Sequence, residues 1–194
     1  MKTKNTVLLI CGVLISFIGS AQVPLQEVPV LEPDPYQYYY NTTRTFNENG
    51  YTYQSDKAEW GLVTLYNKAN QYTYAHYERK DGNPIGNLES LFPLIEPDNW
   101  TRQKCFSIVN KAFSAEEKKR IKGKKLDVSM IVDSSTGKVI EVNFNFYYST
   151  PLGTILVSTY RNLELALKDQ IWFTPSDNGR KLNFIMVGWM HEIE

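Results

Sequence analysis

"LDVSMIVDSSTGKVIEVNFNF", residues 126–146, consists of two short alternating runs joined by a polar turn. Leu126, Val128, Met130 and Val132 alternate with Asp127, Ser129 and, less cleanly, Ile131. Beyond the turn, Ile140, Val142, Phe144 and Phe146 alternate with Glu141, Asn143 and Asn145. Successive side chains on a strand point to opposite faces, so this period of two predicts an antiparallel hairpin with one apolar face. The connecting residues Asp133 to Gly137 look like a metal-binding loop. A calcium loop of that kind needs oxygen ligands at positions 1, 3 and 5, glycine at 6 and a bidentate Glu at 12. Counted from Asp133, position 5 is Gly137, position 6 is Lys138 and position 12 is Phe144. The segment is therefore read as a turn, with Gly137 supplying backbone freedom that a β-carbon would hinder.

Downstream, the stretch 158–175 predicts a helix capped by Ser158 or Thr159, with Tyr160, Leu163, Leu167 and Ile171 on one face and Pro175 as its stop. Asp177-Asn178-Gly179 turns the chain into a last strand over 181–193. The C-terminal order is strand, strand, helix, strand, and one helix covers one face of an antiparallel sheet. The fold class is α+β, an antiparallel sheet with two or three helices.

The motif V-D-x-x-T-G-K-V-I-E-V (132–142), the helix ending in W-F-T-P (172–175) and the closing strand make residues 124–194 resemble the C-terminal domain of TonB and the wider TonB C-terminal-like family. The resemblance implies a TonB-C-like arrangement of this C-terminal unit. TonB proper crosses the periplasm on a long spacer rich in proline and lysine. The leader here is short, so transduction to an outer-membrane receptor is not implied. The whole chain also resembles exported proteins of unknown role in Gram-negative gut bacteria, which implies location only.

Upstream, residues 36–123 read as a strand-rich region followed by helices. Alternating runs at 60–66 and 72–79 predict a hairpin, closed by the turn Lys80-Asp81-Gly82-Asn83-Pro84. Asn99 is placed to cap a helix over 100–113, in which Cys105, Ile108, Val109 and Ala112 share a face. Ser114-Ala115-Glu116-Glu117 is a capping box that opens a short solvated helix stopped at Gly123.

Residues 1–21 read as a signal peptide. Lys2 and Lys4 precede an apolar run at 7–18, and Gly19-Ser20-Ala21 places cleavage after Ala21. The run is shorter than the ~20 residues that span a bilayer, so the mature protein is not expected to cross a membrane. Four prolines make 22–35 an extended leader. One cysteine remains after cleavage, which excludes an intrachain disulfide. Export without disulfides fits the periplasm or exterior of a Gram-negative bacterium.

The chain has 21 basic and 21 acidic residues, so losing Lys2 and Lys4 leaves two excess acids. That balance gives no electrostatic basis for nucleic-acid binding. The basic run at 118–125 lacks interleaved aromatics and reads as a solvated helix face. His76 and His191, each on a predicted strand, lack the short ligand spacing of a zinc site. No nucleophile elbow, phosphate loop or dinucleotide fingerprint occurs. The sequence thus assigns no catalytic residue, metal or cofactor. A hydrolase with an unrecognised carboxylate pair is the enzymatic alternative.

The remaining signal is aromatic, with ten of the 13 tyrosines between Tyr36 and Tyr77. Tyr38, Tyr40, Tyr72, Tyr74, Tyr77 and Trp189 are the candidate binding residues, because such side chains pair an apolar ring with a polar tip. The leading expectation is a non-catalytic module that binds an envelope protein or peptide by strand addition, since the last strand carries no proline and few charges. A glycan bound by the tyrosine-rich region is the alternative.

Overall fold

The computed structural model describes residues 37–194, so the signal sequence, the leader and Tyr36 lie outside the described residues. Six strands form one antiparallel sheet: β1 (Arg44–Glu48), β2 (Tyr51–Lys57), β3 (Leu62–Asn67), β4 (Lys125–Val132), β5 (Val139–Tyr147) and β6 (Ile185–Glu192). Their spatial order is β1-β2-β3-β5-β4-β6. The hairpin read from residues 126–146 is the β4–β5 pair at its centre, with Val128 opposite Phe144 on one side and Trp189 on the other.

The turn joining β4 and β5 is held by its own aspartate. Asp133 Oδ1 accepts from the Ser135 amide at 3.0 Å, the Thr136 amide at 2.6 Å and the Thr136 hydroxyl at 2.8 Å. Gly137 sits at φ +78°, and a β-carbon there would fall 1.8 Å from the Phe173 carbonyl oxygen. The glycine thus serves two ends: a left-handed turn and close passage of the chain after the last helix.

Three α-helices pack on one face: α1 (Thr101–Ala112), α2 (Ala115–Ile121) and α3 (Val157–Gln170). Tyr160, Leu163 and Leu167 of α3 meet Phe144, Phe146 and Val142, and Cys105, Ile108 and Val109 of α1 complete the core. The Ser114 hydroxyl and Glu117 carboxylate form the expected capping box for α2. Asp98, rather than Asn99, starts α1, accepting from the amides of Trp100 at 2.9 Å and Thr101 at 2.8 Å. The α3 helix begins two or three residues earlier than its hydroxyl signals suggest. Leu156 is the N-cap and makes no side-chain bond, because packing of Val157 and Tyr160 fixes the start.

The other face departs most from expectation. Residues 72–79 alternate but form no strand, and His76 lies in a loop. The chain leaves β3 and crosses the sheet's second face instead, because Glu141 captures it. Glu141 Oε1 accepts from the Gln71 amide at 2.6 Å and Oε2 from the Tyr72 amide at 3.0 Å. Asn143 accepts from Asn70 at 3.0 Å. Glu141 and Asn143, polar in the alternation, are therefore buried. Tyr72 and Tyr77 then close over Phe184 at ring distances of 4.9 and 5.0 Å. The last strand is also shorter than 181–193, since residues 179–181 form a 3-10 turn.

Candidate functional site

The strand β6 pairs only with β4, so it forms one edge of the sheet. The Ile193 amide bonds to Lys124 O at 3.0 Å, which continues the ladder through the odd-numbered residues. In an antiparallel pair the intervening residues direct their N–H and C=O groups the other way. Met186, Gly188, Met190 and Glu192 therefore present their backbone to the outside. The Met186 amide donates to the Tyr77 hydroxyl at 3.0 Å, which closes one end of the edge. Loop 76–80 is itself pinned to 181–183, through Glu78 N to Asn183 Oδ1 (3.0 Å), Asn183 Nδ2 to His76 O (3.1 Å) and Lys80 N to Lys181 O (2.8 Å). The open portion runs from Gly188 to Glu192.

Beside this edge, on the helical face, lies a groove of about 580 Å³. That volume is in the range of sites for a small ligand or a large side chain. Met130, Val187 and Trp189 form its floor, Phe106 one wall, and Pro93, Ile95 and Phe173 the other. The α1 wall follows helical spacing. Arg102 lies 5.4 Å above the Phe106 ring, Phe106 stacks on Trp189 at 6.3 Å, and Asn110 Oδ1 lies 3.0 Å from His191 Nε2. The facing arm, 93–98, is fixed by Glu96 N to Thr174 O at 2.8 Å and Ser176 N to Leu94 O at 3.0 Å. Gly179 packs so tightly under the arm that a β-carbon would come 2.0 Å from Leu94 O. Both walls are thus rigid.

The groove's polar groups are few. Asp98 stands at its mouth, where desolvation opposes ionisation, yet hydrogen bonds from Thr101 and the Trp100 amide hold the carboxyl below the ordinary aspartate range. Cys105 lines the inner wall, and burial, helped by the Asp98 charge, pushes its thiol up to about 12. It is an inert packing group at neutral pH. Trp189 Nε1 and His191 Nδ1 are buried without a hydrogen-bond partner.

The six sequence candidates separate. Trp189 forms part of the groove floor and Tyr77 caps the adjoining edge. Tyr72 packs on Phe184, on the sheet's other face. Tyr74 has 61 % of its surface exposed, and its hydroxyl donates to Asp56 Oδ2 at 2.8 Å. Tyr38 is exposed near Gly153, beyond β1. Tyr40 is corrected to a core residue: it is fully buried against Phe46, Phe146 and Tyr160, and its hydroxyl donates to Ile155 O at 2.8 Å. Sequence reasoning missed Asp98, Arg102, Phe106 and the 93–98 arm. The i, i+4 spacing of Arg102, Phe106 and Asn110 was the available signal, but it lies beside the more apolar Cys105 stripe that drew the reading.

The two buried carboxylates do not form a catalytic pair. Glu141 faces the loop side of the sheet, whereas Glu164 lies on the helical side. Glu164 accepts from Tyr53 Oη, from Arg161 at 2.6 Å and from Lys168 at 3.5 Å. Among the described residues no group of three or more His, Cys, Asp or Glu side chains is placed to hold a metal. Also among them, no helix is long and apolar enough to cross a membrane.

Residues 36–189 match the model of the family described as Domain of unknown function (DUF5043). A crystal structure of a DUF5043 family protein from Bacteroides uniformis is similar at 39% sequence identity, covering 80% of this chain and 88% of that one with a TM-score of 0.73. No curated protein matches.

Proposed function

Since this chain belongs to the DUF5043 family, whose description assigns no activity, its role is read from the site, and we propose that it is a non-catalytic module that binds an extended peptide by strand addition to β6. The observation that carries this reading is the coincidence of an open edge, Gly188 to Glu192, with a rigid apolar groove on the same strand. A peptide paired to β6 directs alternate side chains to the helical face, where Val187 and Trp189 already point into the groove. Main-chain bonds contribute about 0.5–1.5 kcal/mol each. One large apolar side chain buried in the groove adds about 1.5–3 kcal/mol. The ligand class is therefore an extended segment with one bulky apolar anchor.

The module works in a bacterial envelope on this reading, exported by residues 1–21 and tethered or spaced by 22–35. The signal pattern and the Bacteroides relative support that location. The likeness of residues 124–194 to the TonB C-terminal-like family rests on the quoted motifs. It is supported by the order β4, β5, α3, β6.

The test selects extended peptides from a displayed random library against the full chain and maps the bound form by amide NMR. Binding is expected to shift Gly188, Met190 and Glu192 and slow their hydrogen exchange. Met190→Pro removes an outward N–H that the fold does not use, so it should weaken binding about tenfold while changing stability by less than about 1 kcal/mol. Selected peptides that bind Met190→Pro as tightly as the parent chain would sink the proposal.

A further inference from the structure

The face of the sheet opposite the helices carries a second surface, unrelated to the groove. Asp56, Thr64, Asn145 and Asp127 lie directly across from one another on β2, β3, β5 and β4. Strands are ~4.8 Å apart, so this polar row extends roughly 14 Å. Its members are linked laterally: Thr64 Oγ1 donates to Asn145 Oδ1 at 2.9 Å, and Asn145 Nδ2 to Asp127 Oδ2 at 3.4 Å.

Aromatic rings flank the row along the strand direction. On one flank Tyr66 and Tyr74 stand 5.8 Å apart, and both hydroxyls donate to the same oxygen, Asp56 Oδ2, at 2.9 and 2.8 Å. On the other flank Tyr147, two residues beyond Asn145 and on the same face, packs against Trp60 at 5.9 Å. Trp60 is 65 % exposed and Tyr147 49 %. Tyr66 is level with Asn143, four residues from Tyr147, which separates the two aromatic flanks by roughly 13 Å.

We propose that this face binds a neutral oligosaccharide, laid along the strands across the polar row with a sugar ring against each aromatic flank. Sugars present C–H faces to aromatic rings and hydroxyls to carboxylate, amide and hydroxyl groups, which is the combination found here. The two aspartates disfavour a phosphate or another polyanion. A peptide strand finds no backbone partner, because the central strands are already paired on both sides. The tether of Tyr66 and Tyr74 to Asp56 holds their rings in place before any ligand arrives, which lowers the ordering cost of binding.

Affinity gel electrophoresis of the full chain in soluble arabinoxylan, mixed-linkage β-glucan, galactomannan and glucomannan tests the assignment. At least one of these glycans is expected to retard the protein. Trp60→Ala and Tyr74→Ala should each weaken that binding about tenfold, the equivalent of one stacking contact of ~1.4 kcal/mol. Phe106→Ala, which alters the groove on the other face, should leave it unchanged. Tyr74→Phe, which keeps the ring and frees it from Asp56, should fall between the parent chain and Tyr74→Ala. Circular dichroism confirms that each variant folds. The proposal is overturned if none of the four glycans retards the protein, or if the Trp60→Ala/Tyr74→Ala double variant is retarded as strongly as the parent. Loss of retardation in folded Phe106→Ala also overturns it, because the binding then belongs to the groove.

Discussion

At the scale of single residues, Gly137 and His191 carry the clearest consequences. Gly137→Ala forces a left-handed φ on a residue with a β-carbon and drives that carbon into the Phe173 carbonyl. A loss of about 3 kcal/mol is expected, measured as a lowered midpoint in urea unfolding. A variant with an unchanged midpoint would show that the turn and residue 173 move apart freely. His191 is buried, and desolvation lowers its pKa despite the nearby Glu194 charge. The unfolded chain therefore takes up a proton near pH 6.5 that the folded chain resists. Stability should fall as pH drops from 7.5 to 5.5. His191→Gln should flatten that slope, with thermal unfolding as the readout. Neither effect could be read from the sequence. Asp133-to-Gly137 was legible as a turn, but nothing in the pattern of residues 126–146 points to Phe173. His191 alternates on a strand, and only the fold places Asn110 and Phe106 over it.

At the scale of elements, legibility followed periodicity. The β4–β5 pair was readable because each strand is apolar on one face, and α2 because a capping box is a local device. Ser114→Ala should lower stability by about 1 kcal/mol, read by denaturant titration, since it leaves the Glu117 amide without its acceptor. A larger loss would mean that α2 supports more of the core than Ile121 alone. Residues 72–79 misled because their alternation is real but their partner is not a strand. Tyr72 and Tyr77 face Phe184, and two amides at 71 and 72 are claimed by Glu141. The choice was decided by a side chain 70 positions away, outside any local window. The groove was only half legible for the same reason. Trp189 lies on a readable strand, whereas the 93–98 arm has no repeating pattern and is placed by residues 174–176.

At the scale of the whole molecule, the sheet runs unbroken from β1 to β6, and β3 joins the tyrosine-rich strands to β5. Leu65 and Phe144 face each other across that junction within one core. The described residues should therefore unfold in a single transition. In native-state hydrogen exchange, amides of β2–β3 and of β4–β5 should share the same highest opening free energy. Separation of the two groups by several kcal/mol would instead mark residues 36–123 and 124–194 as independent units. Tyr77 occupies the outward amide of Met186, so a chain docking on β6 cannot slide past that point. Because neighbouring side chains on a strand face opposite ways, a slip of one residue would exchange the anchor for its neighbour. For the strand addition proposed above, the hydroxyl of Tyr77 would set a reading frame: recognition would depend on how far the anchor lies from the end of the incoming chain, as well as on what the anchor is.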